Sequence, residues 1–370
     1  MKTLALFWMM LIALLKAQDN FKSARECGEC HQEIYQDWQT SRHAKATPQK
    51  NPLFKAMYQS AVRDTDGKLK KKCVVCHTPL SSVFQSIDIT EEFNKEGVTC
   101  QFCHGVKSIE GFHSAKDIKI DLSTIYSHQP AEDNEAHETD HRDYYHKSDF
   151  CLPCHAEMKN SRNLEVCSTG DEWHQYYEKT QRTCQNCHMP QVEGSYSHRF
   201  PGTHQNRFLS NAIDIQLIYD NRIQKLQVTL TNSGAGHALP TGTPLRMIYL
   251  KVVAYDSAGK VIWENWKKNP IEEDKSGLFM RILGDSEGNG PVPPWKATQT
   301  LYNRRLMPGE PVSVVYNLDS NNIYDIEARL SYRYAPSPLL KQFNITDPHF
   351  TNPKLIGQKG IKVSSAIYKM

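Results

Sequence analysis

The segment Cys27-Gly28-Glu29-Cys30-His31 is a C-x-x-C-H string, and copies of it decide the organisation of the first half of the chain. Two thiols at this spacing can form thioethers with the two vinyl groups of a haem, and the next histidine is then held beneath the iron as an axial ligand. The string recurs at Cys73/Cys76/His77, Cys100/Cys103/His104, Cys151/Cys154/His155 and Cys184/Cys187/His188. One such string arises by accident in roughly one chain per hundred of this length. The repeats therefore predict five covalently bound c-type haems.

The count of cysteines supports this interpretation. Ten of the 11 cysteines belong to the five strings, and only Cys167 is left over, so a disulfide framework has no partners available. Paired C-x-x-C units can also bind zinc, but zinc does not require a histidine directly after every second cysteine. Cys167 is either a bystander or a reactive thiol.

The first residues have the pattern of an export signal. Lys2 precedes an apolar stretch at residues 4–15, and Leu15-Lys16-Ala17 suits cleavage after Ala17, so residues 1–17 are predicted to be a signal peptide. Covalent haem attachment takes place outside the bacterial cytoplasm, which points to the same compartment. We expect a periplasmic or extracellular protein. No later segment is apolar enough to span a membrane.

The charge balance argues against a nucleic-acid partner. The formal net charge is +3. Loss of Lys2 and Lys16 together with the propionates of five haems would bring the net charge to about −9. A protein with this charge is unsuited to a phosphate backbone.

The chain divides into two parts of different character, which predicts an α+β multidomain protein. Residues 18–205 contain every C-x-x-C-H string, with fewer than forty residues per haem, so the macrocycles must form the core of a mostly α/loop domain. From residue 206 onward, period-two alternation predicts an all-β domain, an immunoglobulin-like sandwich at residues 206–370. The predicted strands are residues 212–219, 225–231, 246–255, 261–266, 311–318 and 325–334.

Eleven further histidines are available for the second axial position of the five irons. Ile34, Tyr35 and Trp38 lie at helical spacing after the first string, so a helix running on to His43 would place that residue about 18 Å from His31. His43 is therefore predicted to ligate the iron of a neighbouring haem.

The other predicted distal ligands are His113, His146, His198 and His237. His113 follows a glycine-bounded loop after His104, and His237 lies in a glycine-flanked loop that could present its imidazole to the haem domain. The alternative for His146 and His198 is a surface role, and the alternative for His237 is a structural turn. His204 could replace His198 or His237 as a ligand.

One string resembles a different kind of site. His137-Glu138-Thr139-Asp140-His141 matches the H-E-x-x-H pattern of zinc peptidases, in which two histidines on one helical turn bind zinc. Its flanks are strongly polar and no third-ligand motif follows, so a peptidase is rejected. One or both histidines could still ligate a haem, or the segment is a solvated loop.

The haem-binding part resembles the cytochrome c554 family, which is related to hydroxylamine oxidoreductase. The resemblance is carried by residues 27–43, by Gly97-Val98-Thr99-Cys100-Gln101-Phe102-Cys103-His104-Gly105 with His113, and by residues 167–173 leading into residues 184–190. It implies that His43 and His113 are distal ligands to other haems. Relatives often carry a C-terminal sandwich, and some assemble into filaments, so a homo-oligomer or filament is implied as an option. Pentahaem nitrite reductases use a lysine in place of one motif histidine, and no C-x-x-C-K occurs here.

These observations favour an electron-transfer protein with mostly bis-histidine haems, whose low potentials suit anaerobic respiration. No catalytic residue is assigned. Its expected partners are redox proteins: a quinol dehydrogenase or other cytochromes, and a terminal reductase. The alternative is an oxidoreductase in which one haem keeps an open position for a small nitrogen or sulfur compound. The β domain could in either case anchor the protein to a partner or a neighbouring subunit.

Overall fold

A computed structural model describes residues 21–112, 114–130 and 135–363 of the chain. The predicted signal peptide at residues 1–17 lies outside the described residues. The chain forms two compact units. Among the described residues, the first unit contains those up to Ala156 together with Gln181–Pro201, and the second contains Glu157–Thr180 together with those from Gly202 onward. Within the described residues, no helix has the length and apolar character needed to cross a membrane.

The first unit consists mainly of short helices and turns. Its α-helices are α1 (Ala24–Cys30), α2 (Gln32–Thr40), α3 (Pro52–Asp64), α4 (Lys70–His77), α5 (Leu80–Val83), α6 (Glu92–Lys95), α7 (Cys100–His104), α8 (Leu152–His155) and α10 (Cys184–His188), with 3₁₀ turns at Ala115–Asp117, Asp143–His146 and Ser148–Phe150. Short strands complete it: β1 (Val106–Ile109), β2 (Ile118–Ile120), β3 (Thr124–Ser127), β4 (Glu138–His141), β7 (Gln191–Val192) and β8 (Ser195–Tyr196). The helix after the first C-x-x-C-H string ends at Thr40, so His43 lies in the turn that follows it.

Side-chain caps start three of the five helices that carry C-x-x-C-H strings, namely α1, α7 and α10. The Ser23 hydroxyl accepts a hydrogen bond from the Glu26 amide at 3.2 Å, and the Glu26 carboxylate accepts one from the Ser23 amide at 2.6 Å. Thr99 caps α7 and Thr183 caps α10 through hydroxyl groups that accept from Phe102 and Asn186 amides. Each cap satisfies an amide that a short helix leaves unpaired, which fixes where the following cysteines begin.

The second unit is built mainly from β-strands. They are β9 (Ile213–Asp220), β10 (Lys225–Asn232), β11 (Met247–Tyr255), β12 (Val261–Glu264), β13 (Leu278–Gly284), β14 (Gln299–Arg304), β15 (Pro311–Asn317), β16 (Asp325–Arg333) and β17 (Lys354–Lys362). These strands form two antiparallel sheets, one with the order β15-β10-β9 and the other with the order β14-β13-β11-β16-β17 and β12 paired to β11. Short elements accompany them: β5 (Met158–Lys159), β6 (Glu165–Cys167), α9 (Thr169–Thr180), α11 (Asn206–Ser210), α12 (Pro270–Glu273), α13 (Ser337–Gln342) and α14 (Pro348–Thr351).

Alternating side chains build the core of this unit. Leu226, Val228 and Leu230 on β10 are fully buried, whereas the residues between them face outward or are only partly covered. The central strand β11 is buried along most of its length. Helices and many strands are both present, which confirms the predicted α+β fold, and all six predicted strands are found within two residues of their expected bounds.

The segment Glu157–Thr180 groups with the β-strands although it lies between two C-x-x-C-H strings. Arg281 on β13 donates to the Glu165 carboxylate at 2.6 Å, and the Arg305 guanidinium binds the Glu172 carboxylate. A division after residue 205 into domains 18–205 and 206–370 stays a prediction. The compact units differ from it because Glu157–Thr180 belongs to the second unit.

Candidate haem-binding site

All five C-x-x-C-H strings lie in the first unit, each at the end of a short helix. The histidine is the last residue of α4, α7, α8 and α10, and His31 follows directly after α1. Because the two cysteines are three positions apart, a helical turn places both thiols on one side of the helix with the histidine next to them. This is the arrangement that two thioethers and one axial ligand require.

Thiols from different strings lie within hydrogen-bonding distance of one another. Hydrogen bonds from Cys100 and Cys154 lower the pKa of Cys27 and Cys76, respectively. A hydrogen bond from Cys151 lowers the pKa of Cys184 to about 7. The first string is therefore adjacent to the third, the second to the fourth, and the fourth to the fifth.

Backbone carbonyl groups orient three of the motif histidines. Nδ1 of His77 donates to the Ala46 carbonyl at 2.9 Å, Nδ1 of His104 donates to the Tyr126 carbonyl at 2.9 Å, and Nδ1 of His188 donates to the Pro201 carbonyl at 2.6 Å. A proton held on Nδ1 leaves Nε2 with its lone pair, which is the form that binds a metal. Burial lowers the pKa of His104 to about 4 and also lowers the pKa of His77, which keeps both rings neutral near pH 7.

Three pairs of histidine rings have their centres at nearly the same separation. The ring centres are 6.4 Å apart for His31 and His137, 6.2 Å apart for His43 and His155, and 6.3 Å apart for His104 and His198. Each pair joins one motif histidine to a histidine from a distant segment.

This spacing tests whether an iron fits. Metal–imidazole bonds of about 2.0 Å place two trans nitrogens about 4 Å apart, and each ring centre lies about 1.1 Å beyond its nitrogen. Two imidazoles on opposite sides of one iron therefore have centres about 6 Å apart, and the three observed pairs fit this requirement. A structural zinc site needs four ligands, and within the described ranges no group of three or more His, Cys, Asp or Glu side chains is arranged to hold a metal ion.

Comparison with known proteins points to the same class of cofactor. Residues 26–105 match the protein family described as cytochrome c554 and c-prime. The structure is similar to a penta-heme cytochrome c552 from Thermochromatium tepidum, with 27% sequence identity, a TM-score of 0.84, and coverage of 93% of this chain and 99% of that chain. The chain is a multihaem c-type cytochrome. It carries covalently bound haem c and its role is electron transfer. No curated protein gives a significant match.

The cytochrome positions His43 through the turn after α2. Ser41 is fully buried, and its hydroxyl accepts a hydrogen bond from the Ala44 amide at 3.1 Å. The Val98 amide donates to the His43 carbonyl at 3.1 Å. Gly97 has a φ of +85°, and a Cβ at this position would overlap the same carbonyl oxygen. The residues that precede the third C-x-x-C-H string therefore fix the backbone that presents His43.

His198 is held in place by its own neighbours. Its Nδ1 donates to the Tyr196 carbonyl at 2.8 Å, and burial lowers its pKa. On the residues flanking it, the Ser197 hydroxyl and the Arg199 guanidinium donate to the Asp37 carboxylate at 2.9 Å and 2.6 Å. Burial raises the pKa of Asp37, but these two hydrogen bonds, the charge of Arg199 and a hydrogen bond from the His198 amide together hold the pKa below its usual value.

The remaining predicted distal ligands are placed differently. His113 lies outside the described residues. His146 is exposed, its Nδ1 lies 3.2 Å from the Tyr196 hydroxyl, and its ring packs against His128 with centres 4.2 Å apart. His237 belongs to the second unit and donates from Nδ1 to the Ala238 carbonyl at 3.0 Å. Ligand roles for these three residues stay predictions.

Sequence reasoning left His137 unassigned. It immediately precedes β4, so the H-E-x-x-H string is a strand and not a helix, and its two histidines do not share a helical turn. The carbonyl groups that orient the motif histidines were also missed, because any residue type can supply a backbone oxygen.

Proposed function

We propose that this cytochrome is a periplasmic or extracellular electron carrier in anaerobic respiration, with five covalently attached haems that are mostly bis-histidine ligated. The cysteines of the five C-x-x-C-H strings supply the thioethers, and His31, His77, His104, His155 and His188 supply the proximal ligands. His43 supplies the distal ligand at the fourth string and His198 at the third. Haem supplies a reversible one-electron iron couple.

The observation that carries this proposal is the spacing of the His43–His155 and His104–His198 ring pairs, 6.2 and 6.3 Å. An iron with two protein ligands exchanges electrons without opening a coordination position to a substrate. Two imidazoles also keep the reduction potential lower than a histidine and a methionine do. A low potential is what a carrier in anaerobic respiration requires.

Proximity of the strings supports passage of electrons between haems. The thiol contacts join the first string to the third, the second to the fourth and the fourth to the fifth. Charge interactions of Cys103 with Cys151 and Cys154 join the third string to the fourth. All five attachment points are thus connected in one set, so haems attached there are neighbours of one another.

The proposed location and partners are argued from the sequence. The signal-like segment at residues 1–17 and the requirement for haem attachment outside the cytoplasm support export. A quinol dehydrogenase or another cytochrome is the proposed donor, and a terminal reductase is the proposed acceptor. The β domain is proposed to anchor the carrier to a partner or to another copy in a homo-oligomer or filament.

The first test is a count of haems on the purified holoprotein. Intact mass should show five haems, and titration of the denatured protein should find one reactive thiol, Cys167, because the other ten cysteines are thioethers. Quantitative electron paramagnetic resonance should then show mostly low-spin ferric haem. Fewer haems with extra free thiols would contradict the proposal, and a stoichiometric high-spin haem that binds nitrite or hydroxylamine would identify an enzyme.

A further inference from the structure

We propose that His137 is the distal ligand of the iron attached at the first C-x-x-C-H string, an inference that rests on the proposed function and adds a residue to it. The rings of His137 and His31 lie with their centres 6.4 Å apart and an interplanar angle of 34°. The two pairs already proposed as axial ligands have centres 6.2 and 6.3 Å apart. The same gap therefore recurs at a third motif histidine.

A parallel pair of strands places His137 at this position. β3 and β4 pair with Thr124 opposite Glu138 and Ser127 opposite His141, so His137 enters directly at the start of the ladder. The Arg142 amide donates to the Ser127 carbonyl at 2.7 Å and extends the ladder beyond β4. The register is set over the whole length of both strands, which fixes the backbone on which the imidazole is mounted.

The same ladder holds a second part of the haem-binding machinery. Tyr126, in the middle of β3, provides the carbonyl oxygen that accepts from Nδ1 of His104 at 2.9 Å. β3 thus orients the proximal histidine of the third string. Its partner β4 begins directly after His137 and so fixes the position of His137 next to the first string. The thiols of Cys27 and Cys100 are in contact, so the two strings are neighbours at their attachment points as well.

The other histidine of the H-E-x-x-H string is occupied elsewhere. Nδ1 of His141 lies 3.2 Å from the Gln129 carbonyl, and Nε2 lies 2.8 Å from the Asp143 carboxylate. Both ring nitrogens therefore have oxygen partners, and the side chain is 44% exposed. His141 is also a histidine and lies four positions after His137 in the same polar segment. It is therefore a matched control for His137.

The test compares His137→Ala with His141→Ala in the holoprotein. His137→Ala should convert one low-spin haem to high-spin in electron paramagnetic resonance, with unchanged haem content by mass, and added imidazole should restore the low-spin signal. His141→Ala should leave the spectrum unchanged. An unchanged spectrum for His137→Ala, or a new high-spin haem in His141→Ala, would overturn the inference.

Two further variants keep the test decisive. If His137→Ala does not accumulate, His137→Met retains a ligand and should raise the potential of one haem, since a methionine in place of histidine has that effect. The Cys27→Ala/Cys30→Ala/His31→Ala variant lacks the first haem, and adding His137→Ala to it should produce no new high-spin signal. A new signal there would assign His137 to another iron and refute the inference. If the wild-type protein contains five haems, the proposed function remains supported even when these variants refute the role of His137.

Discussion

The imidazole rings of His43 and His155 lie with their centres 6.2 Å apart, although His43 belongs to the turn after α2 and His155 ends α8. Under the proposed function, a histidine from the segment after the first C-x-x-C-H string is the distal ligand at the fourth. Ligation of this kind ties separate parts of the chain to one iron, so folding of the first unit and assembly of the haems should depend on each other.

Replacement of His43 by alanine should therefore affect one haem and leave the others intact. We expect one low-spin ferric signal to be replaced by a high-spin signal, because the iron at the fourth string loses its distal imidazole. Added imidazole should reverse the change. Quantitative electron paramagnetic resonance measures this directly. His174→Ala, at an exposed position on α9, is the control and should keep the wild-type spectrum.

Gly97 should be required for the placement of His43. Alanine at this position must adopt a φ of +85° and also avoid the His43 carbonyl oxygen. Gly288 has a φ of +84°, and a Cβ added there would have no heavy atom within 4 Å, so Gly288→Ala measures the conformational cost alone. That cost is about 1 kcal/mol, and Gly97→Ala should cost about 2 kcal/mol or more.

The two glycine variants are compared by denaturant unfolding and by visible spectroscopy of the holoprotein. Gly97→Ala should also perturb one low-spin haem, whereas Gly288→Ala should not. Equal losses of stability with unchanged spectra in both variants would show that the contact between Gly97 and His43 does not position the ligand.

Much of the fold could be predicted from the sequence because it depends on patterns of residues that are close together in the chain. The C-x-x-C-H strings identify attachment sites without any knowledge of tertiary structure. Strands with one buried face, such as β10, show the period of two on which prediction depends.

Among the nine strands β9–β17 of the second unit, β13, β14 and β17 were not predicted, and each lacks that alternation for a physical reason. β13 is buried on both faces, so its sequence Leu278–Gly284 is apolar on either side of Arg281 and shows no alternation. β14 is mostly exposed. β17 contains Gly357 and Gly360 and several lysines, a composition that suits an edge strand and weakens its signal.

Distal ligands were harder to assign from sequence, because no spacing rule connects them to the iron they face. His137 and His141 look equivalent in the sequence. Only the tertiary structure shows that the His137 ring lies with its centre 6.4 Å from that of His31, while the His141 ring is hydrogen-bonded to Gln129 and Asp143.

Asp37 should act as a positioning residue for His198. Its carboxylate on α2 accepts hydrogen bonds from Ser197 and Arg199, the two neighbours of His198. Asp37→Asn should loosen this segment and broaden or shift the low-spin signal of one haem. The loss of stability should be at most about 1 kcal/mol, because Arg199 is largely exposed and water screens the pair.

Asp220→Asn provides the comparison for Asp37→Asn, since Asp220 forms an exposed pair with Arg222 at 3.3 Å on the β-sheet unit. It should leave every haem signal unchanged. If the two variants give the same spectrum as the wild type, Asp37 has no part in positioning His198.

Glu172 should be a main determinant of the stability of the second unit. Its side chain is 6% exposed, and it accepts hydrogen bonds from Ser168 at 2.9 Å and Thr241 at 2.6 Å in addition to its ion pair with Arg305. Arg305 is 10% exposed, so Glu172→Gln leaves a buried guanidinium without a compensating charge. Loss of one partner of a buried pair costs about 3 kcal/mol.

Thermal unfolding followed by β-sheet circular dichroism measures this loss. Asp325→Asn is the matched control, because it breaks an ion pair with Lys362 in the same unit whose side chains are 31% and 69% exposed. It should cost less than about 1 kcal/mol. If the two variants lower the melting temperature equally, burial does not strengthen the Glu172–Arg305 interaction. Glu157–Thr180 would then contribute little through this ion pair to the stability of the β-sheet unit.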